Sequence, residues 1–191
     1  MTAEDNQSSA QASVEPLSTA LRLIASIFAR EVDQSLLEHL IERRDELVGA
    51  LGRDPLSDSI DDPIEVLAIE YCGLFIGPKG HLVPTESVVL GEGQLWGAAT
   101  EAVAEFYQRC GIASRRNERT APDHISMELD FLAILEETGR HAEARQFAHL
   151  RLLRWLPGLL DHVGAKASLA FYPVWLEGLQ AMLAEEYPPG D

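Results

Sequence analysis

Cysteine is almost missing from this chain of 191 residues: Cys72 and Cys110 are the only two. They form no CxxC pair, so neither a disulfide framework nor a cysteine-based zinc site is predicted, and both read as reduced thiols buried in helical patterns. The six histidines (His39, His81, His124, His141, His149 and His162) are scattered, and none has the i, i+4 spacing around a Glu that zinc hydrolases use, so no metal site is expected. GxSxG, Walker A and post-strand GxGxxG loops are absent, which leaves acyl transfer and nucleotide or dinucleotide binding without a motif, and no cofactor is expected. No apolar run approaches the roughly 20 residues of a membrane span. The polar, acidic stretch from Met1 to Ser13 has no apolar core of a secretory signal, so a cytoplasmic location is expected. Basic residues are also scarce: 15 Lys and Arg against 31 Asp and Glu give a net charge of −16. That surface repels phosphate backbones and anionic lipid, excluding nucleic acid and stable membrane association as favoured partners, and it attracts basic peptides.

What the chain has in quantity is helical periodicity. Apolar residues make up 46% and charged residues 24%, an ordinary globular balance with enough length for one substantial core. Residues 1–15 read as a disordered tail and 16–187 as a single all-α helical domain. Leu17, Leu21, Ile24 and Phe28 fall on one helical face, and Leu36 to Leu51 reads as a second helix. Asp62-Pro63-Ile64-Glu65 has the pattern of an N-cap, a first-turn proline and an acid at the third position, opening a helix that ends at Gly77-Pro78. Lys79 to Gly93 reads as a long ordered loop, with a short strand-like run at Ser87 to Leu90. The next helix, Gln94 to Cys110, is expected to bury Leu95 and Trp96 with Phe106 and Tyr107 and to stop at Gly111. Further helices are predicted from Pro122 to Gly139, from His141 to His162 with a kink at Pro157, and over Leu169 to Leu183.

The run Ala121-Pro122-Asp123-His124-Ile125 carries the densest chemistry, placing a proline, an acid and an imidazole at a helix start. Three readings apply. Asp123 can be an N-cap beside a surface His124. His124 can be a general base oriented by Asp123 or Glu70, as in a small helical hydrolase. Or Asp123 can pair a ligand guanidinium at an exposed corner while His124 donates to or stacks on the ligand. Tyr71, Leu74 and Phe75 are core by helical spacing, yet at a helix end beside a loop they can line a groove.

Taken in order, Glu70-Tyr71 with Leu74-Phe75 and Gly77-Pro78, Pro84 with Glu86-Ser87-Val88, Phe106-Tyr107, Pro122-Asp123-His124 with Glu128-Leu129, and Trp155-Leu156-Pro157 resemble the TorD/DmsD family of molybdoenzyme chaperones. The resemblance implies an all-helical bundle, monomeric or a domain-swapped dimer, without catalytic activity. It implies a partner: the precursor of a molybdopterin-containing catalytic subunit, bound through its twin-arginine signal peptide or its apo form, so that cofactor insertion precedes export. It also implies a peptide site built from Tyr71, Leu74, Phe75, Pro84, Asp123 and His124. The chain departs from the branch nearest the dimethyl-sulfoxide-reductase chaperone by carrying Thr85 where that branch has a tryptophan. A nucleotide-responsive adaptor is the remaining alternative, though no phosphate-binding loop supports it.

Overall fold

The computed structural model describes residues 16–58, 61–77, 80–91, 95–112 and 120–189. The predicted 1–15 tail and Pro78 lie outside these residues. Among the described residues every regular element is helical: α1 (Leu17–Ala29), α2 (Gln34–Glu42), α3 (Arg44–Leu51), α4 (Pro63–Tyr71), a π-helical turn (Cys72–Ile76), α5 (Glu86–Val89), α6 (Ala98–Arg109), α7 (Ile125–Glu137), α8 (His141–Leu150), α9 (Leu152–Lys166) and α10 (Phe171–Glu186). The expected all-α single domain is what the chain forms.

The local signals explain most of these elements. Asp62 caps α4 through a bond from the Glu65 N–H, and Pro63 occupies the first turn, where a missing N–H costs nothing. Gly111 and Gly139 adopt φ of 66° and 71° just beyond α6 and α7, a left-handed turn that side chains resist. α1 buries Leu21, Ile24, Ala25, Ile27 and Phe28 and lies along α7, which buries Ile125, Leu129, Leu132 and Leu135. α9 packs on both α8 and α10, and the short α5 bridges α6 and α9.

Several expectations need correction. The second predicted helix is two, because the chain turns at Arg43. The strand-like Ser87 to Leu90 run belongs to the helical turn α5 and its cap. The helix over His141 to His162 breaks at Arg151 (φ −123°, ψ −92°) rather than at Pro157, which lies early in α9. Pro157 is the sixth residue of α9, and the helix runs on past it to Lys166. The thiols of Cys72 and Cys110 are half-buried. Finally, α6 starts only at Ala98, and Leu95 and Trp96 stand 42% and 56% exposed instead of joining the core.

Two aromatic clusters anchor the interior. Phe106, Tyr107, Phe131 and Phe147 meet between α6, α7 and α8. Phe28, Tyr71, Phe75, Phe171 and Tyr172 form the second, with Phe75 set edge-on to Tyr172 at 5.4 Å and to Tyr71 at 5.1 Å. This second cluster forms the floor beneath the candidate site.

Candidate functional site

Tyr71 and Phe75 leave the end of α4 and its π turn on the side facing Val83, Pro84 and Thr85. The π turn re-aims the chain: Gly77 N–H bonds the Cys72 carbonyl, and a Cβ on Gly77 would sit 3.0 Å from that oxygen, so glycine closes the turn. Leu82 N–H then bonds the Leu74 carbonyl at 2.8 Å, folding the following segment back over the turn. Tyr71 is fixed from below by its hydroxyl, which donates to the Phe28 carbonyl at 3.2 Å, and burial pushes its pKa up to about 12, so it stays protonated.

The result is a cleft of about 240 Å³ whose lining includes Tyr71, Phe75, Ile76, Pro84, Trp96 and His124. Its rim is apolar and exposed at Ile76, Leu95 and Trp96. Trp96 holds φ at 68°, a left-handed backbone uncommon for a bulky residue, and such strain persists where surroundings impose it, often at ligand clamps. Exposed large apolar side chains gathered around one concavity mark an interaction site more than scattered ones do.

Four of the six residues expected at the site (Tyr71, Phe75, Pro84 and His124) do line this cleft. Leu74 points instead into the core at 2% exposure. Asp123 is the larger correction. It is fully buried, not at an exposed corner, and it does not cap α7. Its Oδ2 accepts from the Ser87 N–H and its Oδ1 from the Thr100 hydroxyl, both at 2.9 Å. Its backbone carbonyl accepts from Glu86 N–H, while Ile125 N–H bonds the Pro84 carbonyl. Asp123 therefore ties α5, α6 and the start of α7 together. The physical reason is burial: both carboxyl oxygens face internal donors and the residue has no exposed surface, so a guanidinium from outside cannot reach them.

His124 takes the N-cap position that the sequence offered to Asp123. Its Nδ1 accepts from the Ser126 N–H at 3.2 Å and lies 2.8 Å from the Ser126 hydroxyl. Burial lowers its pKa to about 4, against a smaller upward pull from Asp123, so the ring is neutral at physiological pH. Because Asp123 is engaged with Ser87 and Thr100, it does not orient this imidazole. Glu70, the other acid of the hydrolase reading, accepts from the Ser168 and Leu169 N–H groups, so neither acid is hydrogen-bonded to His124.

Residues to which the sequence assigned no site role complete the surroundings. Glu86 and Glu128 are buried behind Asp123. Glu86 accepts from Arg151 at 3.1 Å and Glu128 from the Trp155 indole N–H at 3.2 Å. Burial raises the pKa of both, well above the usual range for Glu128, and neighbouring acids add to the rise. At the start of the π turn, exposed Glu31 accepts from the Cys72 thiol at 3.2 Å and raises that thiol's pKa. Single acids inside helical runs carry no sequence signal distinguishing these from solvated ones. Among the described residues, no group of three or more His, Cys, Asp or Glu is placed to hold a metal ion.

Comparison with known proteins gives the geometry a context. The chain is 26% identical over 180 residues to the chaperone protein TorD of Photobacterium profundum, covering 78% of this chain and 82% of that one. It is 27% identical over 172 residues to TorD of a Shewanella species, covering 79% and 82%. Among solved structures, a candidate redox enzyme maturation protein from Archaeoglobus fulgidus superposes with a TM-score of 0.61 at 25% identity, over 87% of this chain and 93% of that chain. The model of the nitrate reductase delta subunit family matches residues 28–161, and with TorD chaperones among its relatives this chain belongs to that family of redox-enzyme maturation chaperones.

Proposed function

We propose that this protein is a non-catalytic cytoplasmic chaperone that binds the twin-arginine signal peptide of a molybdopterin-containing oxidoreductase subunit, and with it the apo enzyme. The observation that carries this reading is the cleft with Ile76, Leu95 and Trp96 exposed on its rim, on a chain of net charge −16. A twin-arginine signal combines a basic start with an apolar stretch. The apolar stretch gains about 25 cal/mol per Å² on leaving water, and the acidic surface speeds encounter with the arginines. Among the described residues no helix is long and apolar enough to cross a membrane, in keeping with a chaperone that acts before export.

The test is capture from the native host followed by mass spectrometry, with Trp96→Gly as the control variant. Glycine adopts φ 68° without strain, so this change removes the indole while leaving the fold at least as stable. The wild type is expected to retain a molybdoenzyme precursor with its signal peptide attached. Trp96→Gly is expected to lose at least tenfold of it, in line with aromatic anchors at interface centres. Equal capture by both would move the binding surface away from this cleft. Absence of any molybdoenzyme precursor, in cells making those enzymes, would refute the client class.

A further inference from the structure

α4 and its π turn present two faces. Leu67, Tyr71, Leu74 and Phe75 are buried, whereas Asp62, Glu65, Ile69, Gly73 and Ile76 are exposed. The exposed set follows helical spacing, so it forms one continuous stripe. Ile69 and Ile76 stand 64% and 58% exposed on it. Among the described residues, four of the seven large apolar side chains left in solvent belong to this stripe and to the cleft rim at Leu95 and Trp96. Gly73 lies between the two isoleucines, with nothing within 4 Å of where a Cβ would stand, so no internal contact calls for glycine there. Alanine suits a helical turn better, and what glycine adds is room for another chain to approach the backbone. At the other end, three exposed acids stand at the start of α4: Asp61, the cap Asp62 and Glu65.

We infer that this outer face of α4 is the track on which the docked signal peptide lies, and that it sets the peptide's direction. The arginines stand at the Asp61 to Glu65 end, the apolar stretch runs along Ile69, Gly73 and Ile76, and its far end enters the cleft beside Trp96. The inference rests on the signal-peptide reading of the cleft and deepens it. Continuity is the first support, because Ile76 belongs both to the stripe and to the cleft lining. Size is the second. At about 240 Å³ the cleft is smaller than a pocket for one drug-sized ligand, so an apolar stretch needs surface beyond it. From Asp62 to Ile76 the face rises about 21 Å at 1.5 Å per residue, and the apolar core of a signal peptide, wound as a helix, covers about 10–22 Å. Charge is the third. The peptide passes from basic to apolar as the stripe passes from acidic to apolar, and three carboxylates outweigh the partial positive charge of the helix start.

The probe is a fluorescently labelled synthetic peptide with a Ser-Arg-Arg start and a leucine- and alanine-rich stretch, read by anisotropy against the full chain. Ile69→Ala places the strongest helix former at an exposed position, and Gly73→Gln puts a helix-favouring side chain into open space, so both variants stay folded. Each is expected to weaken the probe by about fivefold or more, the effect of a residue that contributes at an interface. Glu65→Gln is expected to weaken it by about two- to fivefold at low salt and to leave a Ser-Gln-Gln probe unchanged. A benzophenone at the basic start of the probe is expected to cross-link to the first turn of α4, and one at the far end to the region of Trp96. The opposite order overturns the direction. Full affinity in Ile69→Ala and Gly73→Gln, with binding lost in Trp96→Gly, overturns this inference while leaving the cleft as the peptide site. No binding of the probe by the wild type overturns the cleft reading as well. Light scattering is expected to show the same oligomeric state for wild type and Ile69→Ala. A dimer that Ile69→Ala dissociates would assign the face to a second copy of the chain and overturn the inference.

Discussion

Replacing Asp123 by alanine is expected to destabilise the fold by about 3 kcal/mol or more and to abolish peptide binding, whereas asparagine at the same position is expected to preserve both. The carboxyl group is fully buried and accepts from the Ser87 N–H and the Thr100 hydroxyl. Alanine strands both donors away from water, at about 1–3 kcal/mol for each buried unpaired group. It also unties α5 and α6 from the start of α7, so the antiparallel bridge between Thr85 and His124, both in the cleft lining, loses its support. Asparagine can restore both contacts: its amide oxygen accepts from Ser87, and its NH2 donates to the Thr100 oxygen. Chemical denaturation and peptide anisotropy on the two variants separate the roles. If Asp123 instead pairs a signal-peptide arginine, asparagine fails to bind while remaining folded, and the positioning role assigned here is wrong.

Glu128→Gln is expected to stabilise the protein by about 1–3 kcal/mol at pH 8 and by little at pH 5. Glu128 is completely buried in α7, with Oε2 accepting from Trp155 and Oε1 unpartnered. Burial first, and then the Glu86 and Asp123 charges, lift its pKa well above the unfolded value, while the Trp155 bond and Arg151 pull the other way. A carboxyl whose folded pKa is raised contributes its full stability below the unfolded value near pH 4.5 and loses it as pH rises through the folded value. The wild type therefore carries a growing burden above pH 5 that the uncharged amide avoids, with the Trp155 bond retained. Urea titrations of both proteins at the two pH values measure the difference. A variant equally or less stable than the wild type at pH 8 would show that the buried carboxylate is compensated by Arg151. Glu86, raised in the same direction but bonded to Arg151, should give a smaller gain on the same substitution.

Helix existence was legible in the chain because apolar spacing is a local property. The α1 face of Leu21, Ile24 and Phe28, the Asp62-Pro63 start of α4 and the Gly111 and Gly139 stops all rest on neighbours within a turn or two. Boundaries were less so. The predicted helix through Leu95 and Trp96 starts later, because the chain reverses at Trp96 and leaves both side chains on the rim. Apolar character suggested the core there, yet apolar residues needed to meet a partner look the same in sequence as those meant to be buried.

The sequence by itself determined the all-helical class, the acidic surface that disfavours nucleic acid, and four residues of the cleft. Each follows from composition, from short-range periodicity or from a motif resemblance. Only the tertiary structure decided what Asp123 and His124 do. Adjacent in the chain, they differ in fate, because Ser87 and Thr100, far away in sequence, converge on Asp123 and enclose it, while Ser126 turns His124 so that one nitrogen caps the helix and the ring faces the cleft. Hydrogen-bond partners brought from 23 and 36 residues away set which of two neighbours is fully buried and which lines the cleft, and no local pattern encodes that choice.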